Sequence, residues 1–193
     1  MKQIGVGVEG PSDLRFWRKV LHRCLGQHGL IRFDVHNMSG RPKLVRDADR
    51  LLDVFRGAGY SAGLLVLDLD KNPCVEDLRD QFSERVQGEL RATGDNRYLH
   101  LAAAVRKLES WYLADPDAVR AVIPGADYTG AGYDSRWGKG KLGEICERGG
   151  SLYNELLFAE QIAPHYSPER ASELSDSMRL AWERIMRAAS RAG

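Results

Sequence analysis

Three carboxylates close two apolar runs of this chain: Glu9 ends Val6-Gly7-Val8, and Asp68 and Asp70 end Leu64-Leu65-Val66-Leu67, with one leucine between them. Acids at the carboxyl ends of parallel strands open onto the crevice where α/β proteins hold ligands, so these three converge if their two strands are neighbours. Converging carboxylates repel one another unless a cation lies among them. Oxygen donors of this kind suit Mg²⁺ or Mn²⁺, and those ions in turn suit chemistry on phosphates. Two acids ending an otherwise apolar, buried strand are also costly without a partner, which argues against a purely structural role for Asp68 and Asp70.

The elements that must hold these acids read as alternating strands and helices. Residues 3–8 form a short buried strand, and Gly10-Pro11-Ser12 turns into a helix with Leu14, Trp17, Val20, Leu21, Cys24 and Leu25 on one face. Ile31, Phe33 and Val35 alternate with polar residues as an edge or half-buried strand does, and Leu44 to Phe55 recur at helical spacing. Residues 62–68 are apolar throughout, as in a central strand buried on both faces. One helical pattern then runs from Val75 to Leu90, and residues 98–105 form a fourth strand. The order β-α-β-α-β-α-β predicts a parallel four-stranded sheet with right-handed crossovers and helices on both faces. Beyond residue 106, helical pieces are expected at 108–113, 116–122, 141–148, 152–162 and 168–190, with a Gly-, Tyr- and Asp-rich loop at 124–140.

Bulk properties narrow the class. A chain of 193 residues, 43% hydrophobic and 28% charged, can bury one core without staples. Cys24, Cys74 and Cys146 are widely spaced and odd in number, so neither a disulfide framework nor a zinc knuckle is indicated. The five histidines show no metal-ligand spacing, which disfavours a zinc hydrolase, and no Gly-x-Ser-x-Gly elbow or Gly-x-x-x-x-Gly-Lys-Ser/Thr loop is present. With no signal-type or membrane-length apolar run, a cytoplasmic protein with no membrane partner is expected. A net charge of +1 gives no global attraction for polyanions, so any such partner depends on local basic groups.

Val8-Glu9-Gly10-Pro11-Ser12-Asp13 followed by Leu67-Asp68-Leu69-Asp70 resembles the Toprim domain of topoisomerases, bacterial primases and OLD-family nucleases, in which a Glu ends the first strand and a DxD motif the third. The stretch Arg106-Lys107-Leu108-Glu109-Ser110-Trp111 and the late Tyr166-Ser167-Pro168 before a long helix are similar to small stand-alone RloB-like and OLD-type Toprim proteins of anti-phage loci. The resemblance implies a Toprim (Rossmann-like) α/β core over 1–115, with 116–193 as a helical extension packed on it in a single compact unit. It also implies a metal-dependent nuclease acting on DNA or RNA with a separately encoded ATPase. Glu9, Asp68 and Asp70 would be catalytic and would hold Mg²⁺ or Mn²⁺, with Asp13 and Glu109 as further ligands.

Simpler readings stand beside these. Asp13 also suits a helix N-terminus, Glu109 an exposed helix position, and Trp111 a core position. Arg41, Lys43, Arg106, Lys107, Lys139 and Lys141 are the candidates for holding substrate phosphates. Two other functions remain: a haloacid-dehalogenase-like phosphatase with Asp68 as nucleophile, which leaves Glu9 unexplained, and a non-catalytic Toprim binding module. A homodimer is left open.

Overall fold

The computed structural model describes residues 2–26, 30–70, 74–92, 98–130 and 138–191. Strand β1 (Lys2–Val8) leads into α1 (Pro11–Leu21), which ends in a π-helical turn at His22–Gly26, and β2 (Ile31–Asn37) follows. Helices α2 (Arg41–Arg46) and α3 (Ala48–Gly57) precede β3 (Ala62–Asp68), and α4 (Val75–Asp80) and α5 (Glu84–Arg91) precede β4 (Leu99–Ala104). Among the described residues the elements that follow are helices: α6 (Leu108–Leu113), α7 (Pro116–Val122), α8 (Gly138–Arg148), α9 (Glu155–Ile162), α10 (Pro168–Leu174) and α11 (Asp176–Arg191).

All strand pairs are parallel, in the order β2-β1-β3-β4. The two acid-bearing strands are therefore direct neighbours, with Val8 opposite Val66. Side-chain alternation divides the interior in two. Ile4, Val6, Val8, Leu64, Val66, Ala102 and Ala104 pack with α1, α6 and the C-terminal helices, whereas Leu65, Leu67, Leu99 and Leu101 pack with α3, α4 and α5. On the second face β1 presents Gly5 and Gly7, because the Phe55 ring occupies the place of a Cβ at Gly5 and a Leu51 methyl lies 2.7 Å from one at Gly7. The core on the first face runs without interruption from residues before 115 to residues beyond 116. Among the described residues no helix is long and apolar enough to cross a membrane.

Three expected helices differ in extent, each for a local reason. The 44–55 pattern is two helices broken at Asp47, and the 75–90 pattern breaks before Ser83, whose hydroxyl accepts from the Val86 N–H at 3.4 Å and starts α5. The 168–190 pattern breaks at Ser175, extended at φ −139°, whose Oγ caps α11 through Met178 N at 3.1 Å. Hydrophobic periodicity continues through such breaks, and only the cap reveals them. The end of the expected 124–140 loop is also helical: α8 begins at Gly138, so Lys139 and Lys141 lie on a helix and not in a loop. Residues 131–137 of that loop lie outside the described residues.

Candidate active site

The site is built where β1, β3 and β4 end. Glu9 follows β1 and turns its carboxylate across to the next strand, accepting the Asp68 N–H on Oε1 at 2.8 Å. Asp13, in the first turn of α1, accepts the Gly10 N–H on Oδ2 at 2.7 Å. It thereby serves the helix N-terminus as the simpler reading expects, while its side chain also faces the crevice beside Asp68. Glu109 opens α6 and is buried, 7% exposed, not surface-facing. Its Oε1 accepts the Tyr153 hydroxyl at 2.9 Å.

Asp68 and Asp70 part company. Asp68 faces Asp13, Lys107, Glu109, Tyr112 and Tyr153 across a small polar pocket of about 70 Å³. Asp70 sits at φ +52°, a left-handed conformation that disfavours residues with a Cβ, and its carboxylate is held by Lys107 Nζ at 2.9 Å and Arg41 Nη1 at 3.5 Å. Arg106, at the end of the neighbouring strand, is also left-handed at φ +74°, and its carbonyl accepts the Asp70 N–H at 2.8 Å. Two such residues clipped to each other store backbone strain at the mouth of the crevice, a place where strain commonly serves function.

The electrostatics follow from this crowding. Burial raises the pKa of Asp68 well above the ordinary carboxylate value, and the nearby Asp13, Glu9 and Glu109 raise it further, against Lys107. Asp13 is pushed up to about 7, chiefly by burial, then by Glu9 and Glu109, against the Gly10 hydrogen bond and Lys107. Burial also raises Glu9, opposed by its bond from Asp68 N and by Arg41. Lys107 loses by burial but gains more from its bond to Asp70 and from Asp68, and stays protonated. Among the described residues nothing donates a hydrogen bond to the Asp68 carboxylate.

This donor set is what a hard divalent cation takes: oxygens only, with more negative charge than the local cations offset. Among the described residues no three His, Cys, Asp or Glu side chains are arranged to hold a metal ion as they stand. The reason is visible in the partners: Glu9, Asp13 and Glu109 are each turned onto a protein donor, and Asp70 onto two cations.

The basic candidates divide likewise. Arg41 reaches the carbonyls of Asp68 at 3.2 Å and Leu69 at 3.4 Å, and Lys107 lines the pocket. Arg106 lies at the same rim, with Nη1 3.5 Å from the Asp70 carbonyl. Lys139 pairs with Glu155, itself a wall of the pocket. Lys43 is exposed on α2, and Lys141 pairs along its own helix with Glu144 at 3.2 Å.

Sequence reasoning missed the tyrosines. Tyr153 reads as an ordinary loop or helix residue, yet it precedes the α9 cap Asn154 and enters the crevice from the extension. Tyr112 lines the same pocket with a buried hydroxyl that has no hydrogen-bond partner among the described residues. Trp111 is core as expected, fully buried with Nε1 donating to Ser177 Oγ at 2.8 Å.

No family model and no curated protein matches the sequence. Solved structures do match its fold. The C-terminal region of the Burkholderia pseudomallei OLD protein is 17% identical, with 96% of this chain and 98% of that one covered and a TM-score of 0.51. The C-terminal region of the Xanthomonas campestris pv. campestris OLD protein is 14% identical, with 98% of this chain and 94% of that one covered and a TM-score of 0.52. The coverage of both chains is nearly complete, so the likeness includes the helical extension as well as the sheet. The chain thus has the α/β fold of OLD-type Toprim regions, a four-stranded parallel sheet with a C-terminal helical extension.

Proposed function

We propose that this protein is a metal-dependent Toprim nuclease that nicks or cleaves phosphodiesters of nucleic acid. The observation that carries the reading is the meeting of Glu9, Asp13, Asp68 and Glu109 at the ends of adjacent strands, with Arg41 and Lys107 beside them. Mg²⁺ or Mn²⁺ bound among these acids would supply charge for the phosphoryl oxygens and a water of lowered pKa. Asp68, Asp13 and Glu109 are the residues to hold it, with Asp70 available once Lys107 or Arg41 turns to substrate. Glu9, buried and hydrogen-bonded to the Asp68 backbone, is placed either to ligate the ion or to carry a proton to or from the reacting oxygens. Arg41, Arg106 and Lys107 present cations at the rim, where they would position backbone phosphates without reading sequence.

The phosphatase reading leaves Glu9, whose Oε1 accepts the Asp68 N–H in the middle of the acid cluster, without a chemical role. Asn72 also stands where the motif of such phosphatases takes Thr or Val, and it lies outside the described residues. The decisive experiment incubates the protein with supercoiled plasmid and with RNA, with and without Mg²⁺ or Mn²⁺, beside Glu9→Gln and Asp68→Asn. Metal-dependent cleavage lost in both variants supports the nuclease, and a phosphoaspartate at Asp68 supports the phosphatase. Intact substrate together with no cation binding in calorimetry supports the binding module. Operation in the cytoplasm with a separately encoded ATPase in phage defence belongs to the same proposal. It predicts that phage plating efficiency rises when Asp68→Asn replaces the wild-type chain in such a pair.

A further inference from the structure

Among the described residues β4 is an outer strand of the sheet, and side chains lie along its edge. In a parallel ladder a residue turns both backbone polar groups to the same side. Gly63 N donates to Tyr98 O and Leu69 N to Ala104 O, so the even-numbered residues of β4 serve β3, while Leu99, Leu101 and Ala103 face outwards. Arg184 of α11 reaches the outward carbonyl of Leu101, Nη1 to O 2.7 Å, and so lays its charge across the strand edge from one face. Arg79 of α4 and Arg91 of α5 approach from the other. With Leu90, His100 and Leu101, the three arginines line a pocket of about 220 Å³.

The proposed hydrolysis does not use this pocket. Leu101 lies three residues before the end of β4, roughly 10 Å along the strand from the carboxyl end where the acids sit. Arg79 and Arg91 have exposed acids as their ion-pair partners. Arg79 Nη1 meets both Glu76 oxygens at 2.6 Å, but Glu76 is 61% exposed, and Asp80, which pairs with Arg91, is 62% exposed. Exposed ion pairs of this kind contribute little and yield to a stronger ligand. Arg79 is otherwise enclosed, and its buried Nε has no hydrogen-bond partner among the described residues.

We propose that this pocket binds a phosphoryl group. Guanidinium forks match the oxygens of phosphate in pairs, and here three of them line one opening, with Arg79 and Arg91 competed for by the exposed Glu76 and Asp80 and by Gln87, whose Oε1 accepts from Arg91 Nη1 at 3.2 Å. The volume is below the roughly 300–1,000 Å³ typical of pockets for larger organic ligands, which favours a compact anion over an enclosed nucleoside. The group can come from free phosphate or pyrophosphate, or from the backbone of a nucleic acid whose cleaved bond lies elsewhere.

The test is calorimetry on the full chain in EDTA, so that it does not depend on metal-dependent activity. Pyrophosphate is titrated first, and a short single-stranded oligonucleotide second. Saturable pyrophosphate binding is expected, weakened about tenfold or more in the double variant Arg79→Gln, Arg91→Gln. Glu76→Gln, which removes the competing acid, is expected to tighten it and serves as the readout if the double variant does not fold. Lys107→Gln, in the acid crevice, is expected to leave it within about twofold. No wild-type binding, no tightening in Glu76→Gln, or a loss in Lys107→Gln equal to that in the double variant would overturn the proposal. If oligonucleotide affinity falls in parallel with pyrophosphate affinity, the phosphate is that of a strand; a loss confined to pyrophosphate assigns the free anion.

Discussion

Acids on the outer helices and acids at the end of the sheet respond to their surroundings in opposite directions. Asp53 of α3 is held below the usual carboxylate range by its hydrogen bond from Arg85 of α5, and Glu160 of α9 by bonds from Arg15 and Lys19 of α1. Glu9, Asp13 and Asp68 are instead driven up by burial and by neighbouring acids, Asp70 in the case of Glu9. A buried acid can also be fully partnered. Asp115 is fully buried between α6 and α7, yet it accepts from Ser167 N at 2.6 Å and from two Arg170 nitrogens at 2.9 and 2.8 Å. Where the fold needs a buried acid for architecture it surrounds the acid with donors. At the sheet end it gathers acids and, among the described residues, leaves Asp68 without one, an arrangement that a proton or a cation from outside relieves.

The sharpest way to break this contrast is to exchange one acid of each kind. Asp68→Asn keeps the shape of the side chain and is expected to lower metal-dependent cleavage by about 10³-fold or more, while Asp53→Asn leaves the rate unchanged. Equal effects in a plasmid-nicking assay would dissolve the distinction. The same Asp68→Asn protein should melt higher than wild type without metal at about pH 8, because it no longer confines an unrelieved charge.

A second, smaller effect appears in pH. The folded-state pKa of Asp13 stands at about 7 against an ordinary value of 3.8, so the folded protein binds this proton more tightly than the unfolded one. Its favourable contribution is complete below the unfolded value and is lost as pH rises through the folded value. The Tm of metal-free protein is therefore expected to fall across that window relative to Asp13→Asn, which should be flatter. Saturating Mg²⁺ should restore stability above it, by about 2.7 kcal/mol at a hundredfold excess over Kd. A wild-type curve parallel to that of Asp13→Asn would remove Asp13 from the strained set.

Much of this arrangement was legible in the chain. Apolar runs ending in Glu9 and in Asp68-Leu69-Asp70 gave both strands and their order, because buried parallel strands are uniformly apolar and their polar ends stand out. Less legible was anything fixed by contact between distant segments. Gly138 and Gly140 look like loop residues, yet a Cβ on Gly138 would lie 2.5 Å from Ser110 N, so that glycine lets the start of α8 close on α6. The same blindness hid Tyr153, whose bond to Glu109 spans 44 positions of sequence. It also hid the divergence of Asp68 and Asp70, which depends on a left-handed backbone at Asp70 that alternation along a strand does not anticipate.

Tyr153 supplies the third prediction, between the strained acids and the surface ones. It belongs to the extension but orients a crevice acid, so Tyr153→Phe should weaken Mg²⁺ binding by calorimetry by about 10–100-fold, as loss of a ligand's hydrogen-bond partner does, with little change in Tm. A large fall in Tm with unchanged metal affinity would make Tyr153 a packing residue, consistent with its ring contact to Phe158 at 5.6 Å.

The smallest effect is expected where the surface pairs are cut. Arg85 and Asp53 join α5 to α3 from solvent, and each side chain is about half exposed, 46% and 59%. Water and salt replace such a partner at almost no cost, and holding two long side chains together consumes entropy that their attraction barely offsets. Arg85→Gln should therefore leave Tm within error at moderate salt and leave both cleavage and metal binding untouched. If it instead lowered Tm as far as breaking the buried Asp115–Arg170 pair does, screening by water would not be what makes the surface pairs dispensable, and the contrast between partnered acids outside and inside the fold would fail.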